Sequence, residues 1–135
     1  FDNRTYNKVS ELLGNEPKCL FTHLTQRSCD AFLGVPFNIT SYSLFTILLA
    51  LWSKTLPIQF QWVGVNNHIY SNHVDQVDQY LNASTYELPK LKLDVEAIDS
   101  FEKVCAIKTK AELRNFFALV NYVSGDKISA ELSVG

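Results

Sequence analysis

The sequence predicts a mixed helix-and-strand domain organised around one long apolar helix, and three stretches predict it. Lys18 to Ser28 alternates, with Leu20 and Leu24 on one side and Phe21, His23 and Thr25 on the other, the period of a half-buried strand. Asn38 to about Ser53 carries Ile39, Tyr42, Leu44, Phe45, Ile47, Leu48, Leu49, Leu51 and Trp52 on nearly every face, the mark of a buried helix. Ile58 to Val65 alternates again and predicts a second strand.

Tyr6, Val9, Leu12 and Leu13 have helical spacing, Gly14 stops that run, and Asn15-Glu16-Pro17 makes a turn. The first strand ends by placing Arg27 at a sheet edge or mouth. The chain then turns through Gly34 and Pro36 and delivers Asn38 as N-cap of the long helix, with Ser41 able to cap as well. A membrane span needs about 20 apolar residues. Thr40, Ser41, Ser43 and Thr46 interrupt the start of this run, so a central core helix is expected and no membrane partner.

Lys54 to Pro57 reads as a loop. Gly64 and Asn66-Asn67 mark a bend, after which His68 to Ser71 continue the second strand. Asn72 to Leu81 reads as a helix with Val74, Val77 and Leu81 on its buried stripe, and Glu87 to Val95 as a strand. Lys110 to Val120 has helical character, Ser124-Gly125-Asp126 makes a turn, and Ile128 to Val134 is a tail. No repeat, low-complexity run or linker interrupts residues 1–135, which are expected to form a single domain.

The chain has 135 residues, enough for one modest core. It is 47% apolar and 13% aromatic, which excludes a disordered chain. A net charge of −2 argues against nucleic-acid binding, so Arg27 reads as a point site for an anion. Cys19, Cys29 and Cys105 are an odd count without a close pair, neither a disulfide framework nor a zinc pattern. That usage suits a reducing, cytoplasmic setting. Asn38-Ile39-Thr40 and Asn82-Ala83-Ser84 match the glycosylation sequon and are expected to be chance matches in the absence of a signal peptide. Because the chain opens at Phe1, a fragment or processed product is expected.

The polar residues gathered in Gln26 to Asn38 carry the candidate chemistry. Arg27 offers a planar fork of donors suited to an oxyanion such as phosphate. Ser28 adds a hydroxyl, Asp30 a carboxylate, and Asn38 an amide that both donates and accepts. A strand-turn-helix corner with a solvated Arg is the plainer reading of the same residues. His68 and Tyr70, two apart in extended backbone, face the same way and suit two hydrogen bonds to one small ligand. A metal site is less favoured, because His73 and Asp75 would have to join from another element. His23 reads as a half-buried, hydrogen-bonded histidine in preference to a general base.

Gln26-Arg-Ser-Cys-Asp-Ala-Phe-Leu-Gly-Val-Pro-Phe-Asn38 resembles the phosphate- and pyrimidine-binding segment of the thymidylate synthase family. His68-Ile-Tyr-Ser-Asn-His73 with Val74-Asp-Gln76 resembles its ribose-contacting segment, and Leu88-Pro-Lys-Leu-Lys-Leu93 its following strand. Tyr122 and Ile128 to Val134 resemble its C-terminal tail. The order and rough spacing agree from about Lys18 onward, and they correspond to the C-terminal half of the family's usual chain. The resemblance implies a layered α+β fold, with a bent sheet packed on a second subunit and a buried central helix.

It also implies roles. Arg27 and Ser28 would bind a nucleotide 5′-phosphate, Asp30 would support the pocket and the folate side, and His68 and Tyr70 would hold the ribose 3′-hydroxyl. Asn38 would read the pyrimidine edge and favour deoxyuridine monophosphate over deoxycytidylate. The implied reaction is one-carbon transfer, methyl or hydroxymethyl, from 5,10-methylene-tetrahydrofolate, in a homodimer or with a complementary chain.

The family's reaction opens with a cysteine thiolate attacking C6 of the pyrimidine, and this chain has no Pro-Cys-His triplet to supply it. Residues 1–17 depart from the pattern. Cys19 is out of register, Cys29 follows Arg-Ser and shares a strand face with Arg27, and Cys105 lies in a divergent connection. All three are expected to be small hydrophobes, and this chain alone is expected to be inactive. Asn66 stands where an acidic residue is usual, and Val123-Ser-Gly-Asp126 stands where a Pro-His-Pro turn is expected. The alternative is a non-catalytic nucleotide-binding or structural module of the same fold.

Overall fold

A computed structural model describes Arg4, Asn7, Lys8, Glu11, Leu13 and residues 18–132. The elements run β1 Lys18–Asp30, α1 Gly34–Trp52, β2 Thr55–His68, a single 3-10 turn Ser71–His73, α2 Val74–Leu81, β3 Lys90–Leu93, α3 Phe101–Ala106, α4 Lys110–Phe116 and β4 Phe117–Val120. The fold is α+β. β1 pairs with β2, and β3 pairs with β4 antiparallel in the register Lys90 to Val120 and Leu93 to Phe117. Three contacts give the direction of the first pair: Thr22 Oγ1 lies 3.4 Å from the Gln59 carbonyl, Trp62 Nε1 donates to Gln26 Oε1, and the Ala31 N–H donates to the His68 carbonyl. The partners advance in the same direction on both strands, so β1 and β2 run parallel. Parallel neighbours need a crossover, and α1 supplies it.

The described residues fall into two compact units. The first comprises Phe1–Leu20, Ile47–Ile58 and Glu87–Val123. Its core is Leu48, Leu93, Val95 and Ile98, flanked by Leu51, Trp52, Val104, Phe116 and Phe117. Trp52 stacks edge-on against Phe101 and donates its indole N–H to the Ile98 carbonyl at 3.0 Å, so the ring packs without an orphaned donor. Ser100 caps α3 by accepting from the Lys103 amide. α4 opens with a capping box, in which Thr109 accepts from the Glu112 amide while Glu112 accepts from the Thr109 amide. Glu112 also accepts from the Lys108 amide, and these backbone donors hold its carboxyl below the ordinary carboxylate range. Lys8 donates to Glu96 at 2.6 Å; that bond raises the lysine and lowers the glutamate.

The second unit comprises Phe21–Thr46, Gln59–Tyr86 and Ser124–Gly135. Within it the even-numbered residues of β1 face α1, shown by the 2.7 Å contact between the Thr22 and Thr46 hydroxyls. Thr46 also donates back to the Tyr42 carbonyl.

Several expectations need correction. α1 begins at Gly34, four residues before Asn38. The Asp30 carboxylate accepts from the Phe32 and Leu33 amides at 3.0 and 3.2 Å, so the turn is closed earlier and Asn38 is no N-cap. α1 is not buried all round: only Thr46, Leu48 and Ala50 are buried, while Phe37 is 73% exposed and Tyr42 and Phe45 more than two-fifths. By length and composition this helix could cross a membrane, a test that a crossover helix of a folded domain also passes. α2 does not bury Val74 or Leu81, and the buried residue at its start is His73. The strand expected over Glu87 to Val95 is confined to Lys90–Leu93, and the helical character expected up to Val120 ends at Phe116, where β4 takes over to pair with β3. Ser124 to Asp126 forms no regular turn. Of the N-terminal helix, Asn7, Lys8, Glu11 and Leu13 are helical, whereas Tyr6, Val9, Leu12 and the 14–17 turn lie outside the described residues, as do Ser133 and Val134 of the tail.

Candidate functional site

In sheets of parallel strands, ligand sites form at the carboxyl ends of the strands. β1 ends at Asp30 and β2 at His68, and the Ala31 amide joins the two ends by donating to the His68 carbonyl at 2.9 Å. Arg27, Ser28 and Asp30 therefore stand at the end of β1, His68 and Tyr70 at and just beyond the end of β2, and Asn38 in the opening turns of α1. All six belong to the second unit.

The end of β1 has its own geometry. Half-burial alternates along Leu20, Thr22, Leu24 and Gln26, then slips: Arg27 and Ser28 are both exposed and Cys29 is fully buried. Gln26 holds this slip. Its amide nitrogen donates to the Ser28 carbonyl at 3.1 Å, its amide oxygen accepts from Trp62, and its own carbonyl accepts the Cys29 thiol at 3.2 Å. The expectation that Arg27 and Cys29 share a face is thereby overturned. The slip presents Arg27 and Ser28 to solvent side by side and turns the thiol inward. Cys19 and Cys105 are exposed, so only Cys29 behaves as a small buried hydrophobe.

Among the described residues, the Arg27 guanidinium, the Ser28 hydroxyl and the Asn38 amide have no hydrogen-bond or ionic partner in the chain. Asp30 spends one carboxylate oxygen on the turn amides, which makes it a bracket for the corner. His68 and Tyr70 pack edge-on, with ring centroids 4.9 Å apart. The His68 Nδ1 lies 3.2 Å from the Asn66 carbonyl, which can only accept; Nδ1 therefore carries the proton and Nε2 is left as an acceptor. A Cβ at Gly64 would overlap the Trp62 ring and the Asn67 side chain, so a larger residue there would have to displace both. His23 is exposed, not half-buried, and its ring contacts the Thr25 hydroxyl at 2.9 Å.

Two residues of this corner escaped the sequence reading. Gln26 opens the motif but looks like any polar strand residue. His73 closes the His68 segment and has no exposed surface. Its position between a strand end and a short helix gives no pattern from which burial could be read. A cleft of about 220 Å³ opens in the first unit, lined by Arg4, Lys92, Asp94, Glu96 and Arg114, and contains none of the six site residues.

A parallel strand pair with a helical crossover, and exposed polar groups without an internal partner near the strand ends, defines the class of α+β domain with its open polar corner at the strand ends. The family is narrower. The family model for thymidylate synthase matches residues 6–134, and the chain belongs to the thymidylate synthase family. It is 42% identical over 108 residues to the bifunctional dihydrofolate reductase-thymidylate synthase of Plasmodium chabaudi, covering 80% of this chain and 17% of that protein. It is 48% identical over 79 residues to the thymidylate synthase of Francisella philomiragia, covering 58% of this chain and 28% of that one. Among solved structures it resembles thymidylate synthase from T4 phage, with a TM-score of 0.68 and 29% identity, over 88% of this chain and 43% of the other. Thymidylate synthase A from Bacillus subtilis gives a TM-score of 0.68 and 27% identity, over 83% and 38%. The chain thus spans less than a third of the length of these curated relatives and less than half of these solved ones.

Proposed function

We propose that the second unit binds a pyrimidine deoxynucleotide monophosphate, deoxyuridine monophosphate in preference to deoxycytidylate, for one-carbon transfer from 5,10-methylene-tetrahydrofolate. The supporting observation is the set of unpaired polar groups at the joined ends of β1 and β2. Arg27 and Ser28 meet the 5′-phosphate: a guanidinium with no internal partner is free to form a bidentate pair with a dianion. His68 accepts a ribose hydroxyl proton at Nε2, and the Tyr70 hydroxyl supplies the companion bond. Asn38 donates to O4 and accepts from N3–H of uracil, and the wrong base leaves it unpaired at a cost of about 1–3 kcal/mol. Asp30 keeps the corner closed beneath the phosphate. The folate would supply the one-carbon unit, and a thiolate for attack on the base would come from outside these six residues. A second copy or a complementary chain fits the exposed apolar residues Phe21, Val63 and Val65 of the strand pair.

Calorimetry with deoxyuridylate and deoxycytidylate tests this reading. Tighter binding of deoxyuridylate, with preference moved toward cytosine by Asn38→Asp and binding lost in Arg27→Ala, is expected. Equal binding of both nucleotides, or of neither, refutes it.

A further inference from the structure

We infer that His73 is a positioning residue that latches the C-terminal segment to the ribose-facing pair His68 and Tyr70. The pairing with a nucleotide rests on the function proposed above; the latch itself does not.

His73 has no exposed surface, and its Nε2 lies 2.7 Å from the backbone carbonyl of Glu131, 58 residues further along the chain. A carbonyl only accepts, so Nε2 carries the proton and donates. Among the described residues this is the one hydrogen bond that ties residues 124–132 to the rest of the second unit. Among the described residues the other ring nitrogen, Nδ1, is buried without a partner. Apolar walls fix the orientation of the ring. Phe32 lies at 5.6 Å between centroids and Tyr70 at 5.8 Å, edge-on. The His73 amide also donates to the Tyr70 carbonyl at 2.9 Å. Tyr70 in turn packs edge-on against His68. One buried side chain therefore touches both the tail and the residue proposed to hold the ribose, and a change in either reaches the other through it. A phenylalanine would fill the same space but drop the donor. A glutamine places an amide N–H near the position of Nε2.

The test uses the full chain and two variants, His73→Phe and His73→Gln, with trypsin cleavage after Lys127 followed by mass spectrometry of the released peptide. Native-state cleavage tracks the population of the opened segment. Loss of one buried hydrogen bond should speed it about five- to tenfold in His73→Phe, with His73→Gln within about twofold of wild type. Cleavage of His73→Phe at the wild-type rate overturns the latch. If His73→Phe fails to fold, ring-nitrogen NMR of the wild-type chain decides: a proton on Nε2 supports the latch, and a proton on Nδ1 alone overturns it. Deoxyuridylate should slow cleavage after Lys127 in wild type and in His73→Gln but leave it unchanged in His73→Phe. Binding without any such protection overturns the coupling. No binding to wild type refutes the nucleotide reading, and the ligand-free cleavage rates still decide the latch.

Discussion

The amide of Ala31 and the carbonyl of His68 are joined at 2.9 Å, one residue beyond the end of β1 and on the last residue of β2. That bond sets the register in which Ala31, three residues past Ser28 and just beyond the end of β1, meets the end of β2 at His68. Side chains alternate along a strand, so a slip of one residue would turn His68 to the opposite face and leave the corner without its acceptor.

The core of the first unit depends on Ile98, which is fully buried among Leu48, Leu93 and Val95 and whose carbonyl takes the Trp52 indole proton. Ile98→Ala removes packed methyl groups and leaves a cavity, and should destabilise the chain by about 2–5 kcal/mol. Urea unfolding with an unchanged midpoint would contradict this.

Glu112 makes the start of α4 acid-sensitive. Its carboxyl is lowered first by the Lys108 amide and then by the Thr109 amide, so its ionised form is favoured in the folded state. The stabilisation is therefore present above the ordinary value of 4.5 and lost as pH falls through the lower folded-state value. An NMR titration should place the Glu112 midpoint below 4.5, and a midpoint at or above it would show that the box is not formed. Glu112→Gln keeps an acceptor for the box and removes the acid dependence of α4.

This chain alone should not methylate deoxyuridylate. Without a thiolate at the pyrimidine there is no covalent activation of C5. Cys29, the thiol nearest Arg27 in sequence, is fully buried and donates to the Gln26 carbonyl, so it lies inside the fold while Arg27 and Ser28 are exposed. Incubation with methylene-folate and deoxyuridylate, followed by dihydrofolate absorbance, is expected to stay flat. Turnover that disappears in Cys29→Ser would make Cys29 the nucleophile and overturn this expectation.

Phe21, Val63 and Val65 occupy the β1–β2 face opposite the Thr22–Thr46 contact, and they are 61%, 37% and 67% exposed. A second chain covering this face should bury more than about 1,000 Å². Sedimentation should show an assembly at micromolar concentration that Val65→Lys weakens. A stable monomer would contradict it.

How much was legible follows from range. Leu20 through Gln26 alternate within one strand, so β1 could be read locally, and the motif from Gln26 to Asn38 placed the corner. The start of α1 could not be read, because the Asp30 carboxylate caps the turn and moves the boundary from Asn38 to Gly34. The β3–β4 pairing joins short strands separated by two helices, and nothing in Lys90–Leu93 announces Phe117–Val120 as its partner. The slip at Arg27 and Ser28 depends on Gln26 reaching Trp62, which a strand pattern does not encode. The burial of His73 depends on Glu131, far along the chain.

The parallel pairing of β1 and β2 also has a kinetic consequence. Thr22 and Gln59 are 37 residues apart, with the whole of α1 between them, and no tight hairpin can seed the sheet. The crossover must close before the first cross-strand bond forms, which belongs to the slower, non-local regime of folding. Until then the two strands are open to pairing with strands of other molecules, and Phe21 and Val65 are the side chains on which such mispairing would start.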